Sequence, residues 1–451
     1  MEKSLKNKLI DKFQSYEDSL NGEKSKDFFK ARKEHLNHFE SNGFPTIKDE
    51  EYKYLNFSFL NNIDFEIPAD VEDSNFELKD IEKFLFENLN SNLLVFINGK
   101  INWKLTKVQS FRKGIIVGSL KDELSKNENI NSSKFVQNNS YNDNFYNLNN
   151  AFINDGAYIS IPDGTDLSEP FHLAFFSDIR EENYFSQVKN IIKIGECCNM
   201  KIIISNHSIG DNNSFLNVST DIEIGNFSNV EFDLIQKDLD KSYVLTNTLI
   251  SQGRGSVLHT STITLNGKFV RNNLVAEVID EMCETNFNGF YYVDGDSTVD
   301  NHTKVIHAKP NCNSNETYKG VLDNNAVAVF NGKILVKKNA SKTNAYQKNR
   351  NILLTDTATV NTKPQLEIFT DDVKCSHGAT TGYLEKEHIF YLKARGISED
   401  RARALLLNAF SSEIVEKISI SELRDEIKRD ISQRLNVEDD FYFCEILDSI
   451  K

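Results

Sequence analysis

Lys201–Ser205 reads KIIIS, Val230–Ile235 reads VEFDLI, Val257–Leu265 reads VLHTSTITL and Phe287–Val293 reads FNGFYYV. These short apolar and alternating runs have the length and pattern of strands, and Gly, Asn and Asp punctuate them as turn chemistry requires. Two more follow, Ala326–Phe330 and Lys333–Val336. Aligned on Met200, Val230, Val257 and Phe287 the runs recur after 30, 27 and 30 residues, a spacing typical of stacked repeats. The runs are numerous and lack two-residue hairpin turns, which favours a β-solenoid over the alternative, a β-sandwich. The chain is therefore expected to be mainly β, with a β-helix core over residues 151–383.

Working outward, both flanks change period. Residues 1–150 read as a helical and mixed region. Phe29, Arg32, Leu36 and Phe39 fall at helical spacing, and Gly43 with Pro45 stops that helix. Leu93–Ile97, LLVFI, is a lone strand candidate, and the Asn/Ser-rich stretch from Asn127 to Asn144 reads as a loop. Residues 384–451 read as a C-terminal helical domain. Ala402, Leu405, Leu406, Ala409 and Phe410 mark one helix face. Ser398 is its expected N-cap, and Ser419 with Glu422 forms an expected capping box before a second helix at about 420–435.

Composition excludes several classes of function. The chain has 451 residues, 39% hydrophobic and 26% charged, and a formal net charge of −15. That balance opposes nucleic-acid binding, which needs a basic face against the phosphates. No run approaches the roughly 20 apolar residues of a membrane span. The charged start MEKSLKNKLIDKF is no secretory signal, so a cytoplasmic address is expected. Six cysteines are too sparse for a disulfide framework, and in the cytoplasm they stay reduced. No G-x-x-x-x-G-K-[ST], H-E-x-x-H, G-x-S-x-G or C-x-x-C motif occurs, so the chain is not expected to be an enzyme or to hydrolyse ATP itself.

Among the cysteines, Cys197 and Cys198 are adjacent, which on a strand points them to opposite faces. Cys283, Cys312 and Cys444 are isolated and read as structural. His172, His207, His259, His302 and His307 read mostly as structural or surface residues. Cys375 and His377 differ: i and i+2 on a strand share a face, about 6.6 Å apart along the backbone. A thiolate and an imidazole can then meet one metal, though two donors are too few for a closed four-ligand site. The remaining ligands must come from elsewhere in the chain or from another chain, and the pair is accordingly expected to face outward at the end of the solenoid, away from its core.

Around that pair lies a denser pattern. Lys363–Ile368 reads KPQLEI, Asp371–Thr380 reads DDVKCSHGAT and Phe390–Ile397 reads FYLKARGI. Upstream stand QKNRNILL from Gln347 and VFNGKI from Val329, and near the start GFPT from Gly43 and DEEYKY from Asp49. These motifs resemble the SufB/SufD family of scaffolds in the SUF iron–sulfur cluster assembly system, with Tyr52 where that family usually has Trp. The match is dense from about 300 to 415 and patchy before it. The HGAT run after Cys375 and the GFPT element place the likeness on the SufD side.

The resemblance implies a right-handed parallel β-helix that pairs with a SufB-like scaffold. It also implies a C-terminal helical domain docking a SufC-like ATPase, through Leu405, Leu406 and Phe410 with Arg395 on the rim. Cys375 and His377 map to the family's interface between scaffolds, where an iron–sulfur cluster is transiently shared. No tightly bound cofactor is expected. The alternatives are a homodimeric cluster carrier and a free-standing β-helix enzyme acting on polysaccharides, the latter disfavoured by the absent export signal.

Overall fold

The structure, a computed structural model, describes residues 4–19, 27–67, 76–111, 114–126, 141, 143–152, 155–237 and 239–435. Nineteen strands follow one another among them. They begin with β1 (Asn92–Ile97), β2 (Lys100–Ile101), β3 (Ile116–Ser119), β4 (Ala157–Ile161), β5 (Phe171–Asp178) and β6 (Tyr184–Ile194). Next come β7 (Asn199–Ile209), β8 (Ser214–Ile224), β9 (Asn229–Gln236), β10 (Ser242–Gln252), β11 (Val257–Thr264), β12 (Phe269–Val278) and β13 (Glu284–Val293). The last are β14 (Thr298–His307), β15 (Asn313–Leu322), β16 (Val327–Val336), β17 (Thr343–Leu353), β18 (Thr359–Ile368) and β19 (Val373–Gly382).

From β4 on, alternate strands go to opposite sheets. One sheet runs β19-β17-β15-β13-β11-β9-β7-β5-β1-β2 and the other β18-β16-β14-β12-β10-β8-β6-β4-β3. All pairings from β4 to β19 are parallel, so the chain winds as a β-solenoid of about eight turns. Leu93–Ile97 belongs to this winding, because β1 pairs in parallel with β5.

The repeat is set at one corner. Cys197, Phe227, Gly255, Met282, Asn311 and Lys342 all have positive φ near 50–60°, 27 to 31 residues apart. After each comes a small side chain whose hydroxyl or thiol donates to a turn carbonyl. Ser228 donates to Gly195 at 2.7 Å, Ser256 to Gly253 at 2.8 Å, Cys283 to Gly253 at 3.0 Å and Thr343 to Ala340 at 2.8 Å. Cys198 and Cys312 continue the ladder through the carbonyls of Pro162 and Pro310. Cys197 and Cys198 therefore lie in a turn and not on a strand as the sequence suggested, with Cys197 exposed and Cys198 buried. Cys444 falls outside the described residues.

In-register stacking carries each interior position through the whole solenoid. One column runs Phe171, Ile202, Phe232, Thr260, Phe287, Glu316, Gln347 and His377. Its neighbour on the same strands runs Met200, Val230, Leu258, Thr285, Ser314, Ala345 and Cys375. The first rungs are apolar core; the later ones turn polar.

The flanks pack on the outer sheet faces. The helix Asp27–Asn42 buries Arg32, Leu36 and Phe39 and ends at Gly43, whose φ of +68° suits a helix C-terminus. The side chain of Phe29 is outside the described residues, as is most of the Asn127–Asn144 stretch; Asn144 itself opens the helix Asn144–Phe152. At the other end, Glu399–Val415 starts at Ser398, whose hydroxyl accepts from the Arg401 N–H at 3.4 Å. The capping box expected at Ser419 does not form. The helix is Ser421–Arg434, and Ser419 instead gives its N–H to Glu231 at 2.7 Å and its hydroxyl to the other carboxylate oxygen. A tertiary carboxylate outcompetes the local cap because it holds both Ser419 donors at once.

Candidate functional site

β18 and β19 end their two sheets, and among the described residues no strand pairs with their free edges. The two strands present the interior of the solenoid to the outside. Cys375 lies in register with Ala345, and His377 with Gln347, both buried one coil below. In a parallel pair, register partners share a face, so Cys375 and His377 occupy the interior-facing side of β19.

Sequence reasoning placed both on an outward face away from the core. The structure corrects this: they sit on the inner face, at a mouth left open because no further coil stacks there among the described residues. His377 is exposed. Cys375 is half-buried against the cluster formed by Ile334, Val336, Ala340 and Ala345, and burial pushes its thiol up. Among the described residues no three His, Cys, Asp or Glu side chains gather as a metal site. One thiol and one imidazole can therefore offer two ligands and leave the rest of a coordination sphere to a second body.

The helical residues assigned to a docking face are partly used inside the chain. Leu405 is buried with Ile389, Leu392 and Ala402, and Leu406 packs on the same cluster half-exposed. Phe410 packs against the solenoid sheet, with Lys319 Nζ 4.3 Å above its ring and donating to its carbonyl at 2.9 Å. The face turned to the sheet runs through Ala404, Leu407, Ser411 and Ile414, and Ala409 is exposed. Among the described residues of the C-terminal helices, the large apolar side chains left exposed are aromatics of the preceding helix, Lys386–Ala394. Phe390 is 74% exposed, and Tyr391 is exposed with the Arg395 guanidinium 4.8 Å from its ring. The FYL run holding both aromatics was in view in the sequence, but helical periodicity pointed to the longer helix beside it.

A second polar constellation joins the N-terminal region to the solenoid. Glu51 lies 3.3 Å from His302, and the opposite ring nitrogen is 3.0 Å from Asp300. His302 holds the Glu51 carboxyl down to about 2. Arg271 pairs with Asp300 and stacks 3.9 Å over the Tyr52 ring, whose hydroxyl bonds Asp143; Glu50 pairs with Lys363. The DEEYKY segment is thus a clasp on β12, β14 and β18, beside a cavity of about 600 Å³. His172 and His207 are buried between Phe84, Phe86 and Phe176, and burial lowers His172 to about 3. Both are structural.

Residues 177–410 match the family described as SUF system FeS cluster assembly, SufBD core domain, and residues 3–173 match the SufBD protein N-terminal region. The chain is 31% identical over 398 residues to the iron-sulfur cluster assembly SufBD family protein slr0076 of Synechocystis, covering 86% of this chain and 87% of that one. It is 28% identical to the chloroplastic protein ABCI7 of Arabidopsis thaliana, covering 87% and 82%. To the iron-sulfur cluster assembly protein SufD of Escherichia coli it is 26% identical, covering 89% and 92%.

Proposed function

The chain belongs to the SufBD family of the SUF iron–sulfur cluster assembly system, and from that premise we propose that it is a non-catalytic scaffold subunit of the SufD kind. It pairs end-on with a SufB-like scaffold, docks a SufC-like ATPase through its C-terminal helices, and works in the cytoplasm. The observation that carries this reading is the open solenoid end. Two strand edges that are unpaired among the described residues are a ready template for another chain's strands, and the same end carries Cys375 and His377.

The pairing completes the site. A partner coil stacked on β18 and β19 would close the mouth and add the ligands that Cys375 and His377 lack. The iron–sulfur cluster is cargo here: it is held between two bodies and released when they shift. Energy for that shift comes from the ATPase partner. The exposed Phe390 and Tyr391, with Arg395 at the rim, extend the docking face around Leu405, Leu406 and Phe410.

The test is reconstitution with SufB-like and SufC-like proteins. Size-exclusion chromatography should give a mixed complex, and Cys375→Ala or His377→Ala within it should slow cluster delivery to an acceptor without disassembling it. Full delivery by the double variant would remove the ligand role. An isolated chain that self-pairs through the same edge and delivers clusters unaided would favour the homodimeric carrier.

A further inference from the structure

Beneath His377 the interior column holds two polar side chains where the early coils hold Phe and Ile. Gln347 is the register partner of His377, one coil down, and Glu316 is the partner of Gln347, two coils down. Both are buried, at 1% and 3% exposure. Gln347 Nε2 donates to the Glu316 carboxylate at 2.6 Å, which fixes the amide's orientation. The amide oxygen, Oε1, is buried and has no hydrogen-bond partner among the described residues. Space for this arrangement comes from Gly332: a Cβ there would lie 1.9 Å from Gln347 Nε2.

We propose that Gln347, oriented by Glu316, is a positioning residue for His377, its amide oxygen accepting the imidazole N–H turned toward β17 so that the other ring nitrogen is free for iron. The proposal rests on the ligand reading of His377 given above. The physical case is a matter of one rung. Register neighbours on parallel strands stand 4.7–4.9 Å apart, so a ring rotation at His377 brings an N–H within reach of the oxygen below. A buried amide oxygen without a partner costs free energy, and the imidazole N–H satisfies it. Metal-binding histidines commonly give their second N–H to such an acceptor, which sets the tautomer and raises the basicity of the ligating nitrogen. A leucine or phenylalanine in this column would pack as well and accept nothing, as Phe232 and Phe287 do further down.

The tautomer of His377 is the direct readout. Long-range ¹⁵N spectra of the histidine-labelled full chain resolve it, with the His377 signals assigned by their loss in His377→Ala. One tautomer should dominate in the native chain, and Gln347→Met and Glu316→Leu should each bring the two forms toward equal population. Glu316→Gln keeps an acceptor for Gln347 and should restore the native ratio. In the reconstituted complex, Gln347→Met should slow cluster delivery about 10- to 100-fold, the usual loss when an outer partner of a metal ligand is removed. An unchanged tautomer ratio in a folded Gln347→Met, or in Glu316→Leu should the first fail to fold, overturns the positioning role. Full delivery by His377→Ala overturns instead the ligand reading beneath it, and the two failures are separate measurements.

Discussion

The two ends of the solenoid are finished differently. At the first end β1 is covered by the antiparallel β2, β4 by the antiparallel β3, and Phe76, Ile81 and Phe84 cluster over the outer face of β1. Inside, Phe171, Leu173, Phe175, Ile202 and Ile204 fill the coil. At the last end no strand among the described residues pairs with the free edges of β18 and β19, and the residues lining the interior include Gln347, Asn349, Asn351, Cys375 and His377. Stacked repeats need caps because a bare terminal coil exposes both core and strand edges. Here one end is capped and the other presents a thiol and an imidazole at an open mouth, the end at which we propose a partner binds.

The largest contrast should appear in the core. Phe232 is buried in the closed part, and Phe232→Ala should cost about 3–5 kcal/mol in denaturant unfolding. Leu366→Ala at the half-exposed open coil should cost well under half of that. Equal losses would mean the last coil is packed as tightly as the rest.

Glu316 marks the transition between the two halves. Burial raises its carboxyl to about 7 from its ordinary value of 4.5. The folded state therefore prefers the protonated form. Stability is full below pH 4.5, declines as pH rises toward 7, and is lower by about 3 kcal/mol above it. Glu316→Gln should melt higher than the native chain at pH 8 and lose that advantage at pH 4.5. A constant difference across that window would contradict the buried, titrating acid.

The C-terminal helices clamp the middle coils, with Ser419 on Glu231, Lys417 on Asn288 and Glu413 on Lys319. Ser419→Ala removes the hydroxyl donor to Glu231 and keeps the backbone N–H, and should destabilise by about 1–2 kcal/mol, with faster proteolysis of the C-terminal helices. Ser421→Ala, at the helix start where no side-chain cap forms, should change little. The smallest effects belong to the site itself: Cys375→Ala and His377→Ala should shift thermal stability by no more than about 0.5–1 kcal/mol. A loss like that of Phe232→Ala would make these residues core members rather than a surface waiting for a partner.

Much of this was legible in the residues. The strand runs and their 27- to 30-residue recurrence carried the solenoid, because parallel stacking forces every coil to the same length. Pro364, lacking an N–H, already suits an edge strand, and β18 is one. The helix Glu399–Val415 and its Ser398 cap were readable because helix starts depend on neighbours in sequence. The corner signal was missed. Residues with positive φ there include Cys197, Phe227, Met282 and Lys342, which share no chemistry, so only the backbone reveals the repeat.

By itself, then, the sequence determined the winding, the helical flanks and the pairing of Cys375 with His377 on one strand face, since each follows from local period and spacing. Which face that was could not be local. Strand alternation has two outcomes, and the register of β19 on β17 chose the inner one, putting Cys375 over Ala345 and His377 over Gln347. The fate of Ser419 was likewise decided by a carboxylate 188 residues away. Contacts between residues distant in sequence are set by the stacking of whole coils, and a spacing rule sees only one coil at a time.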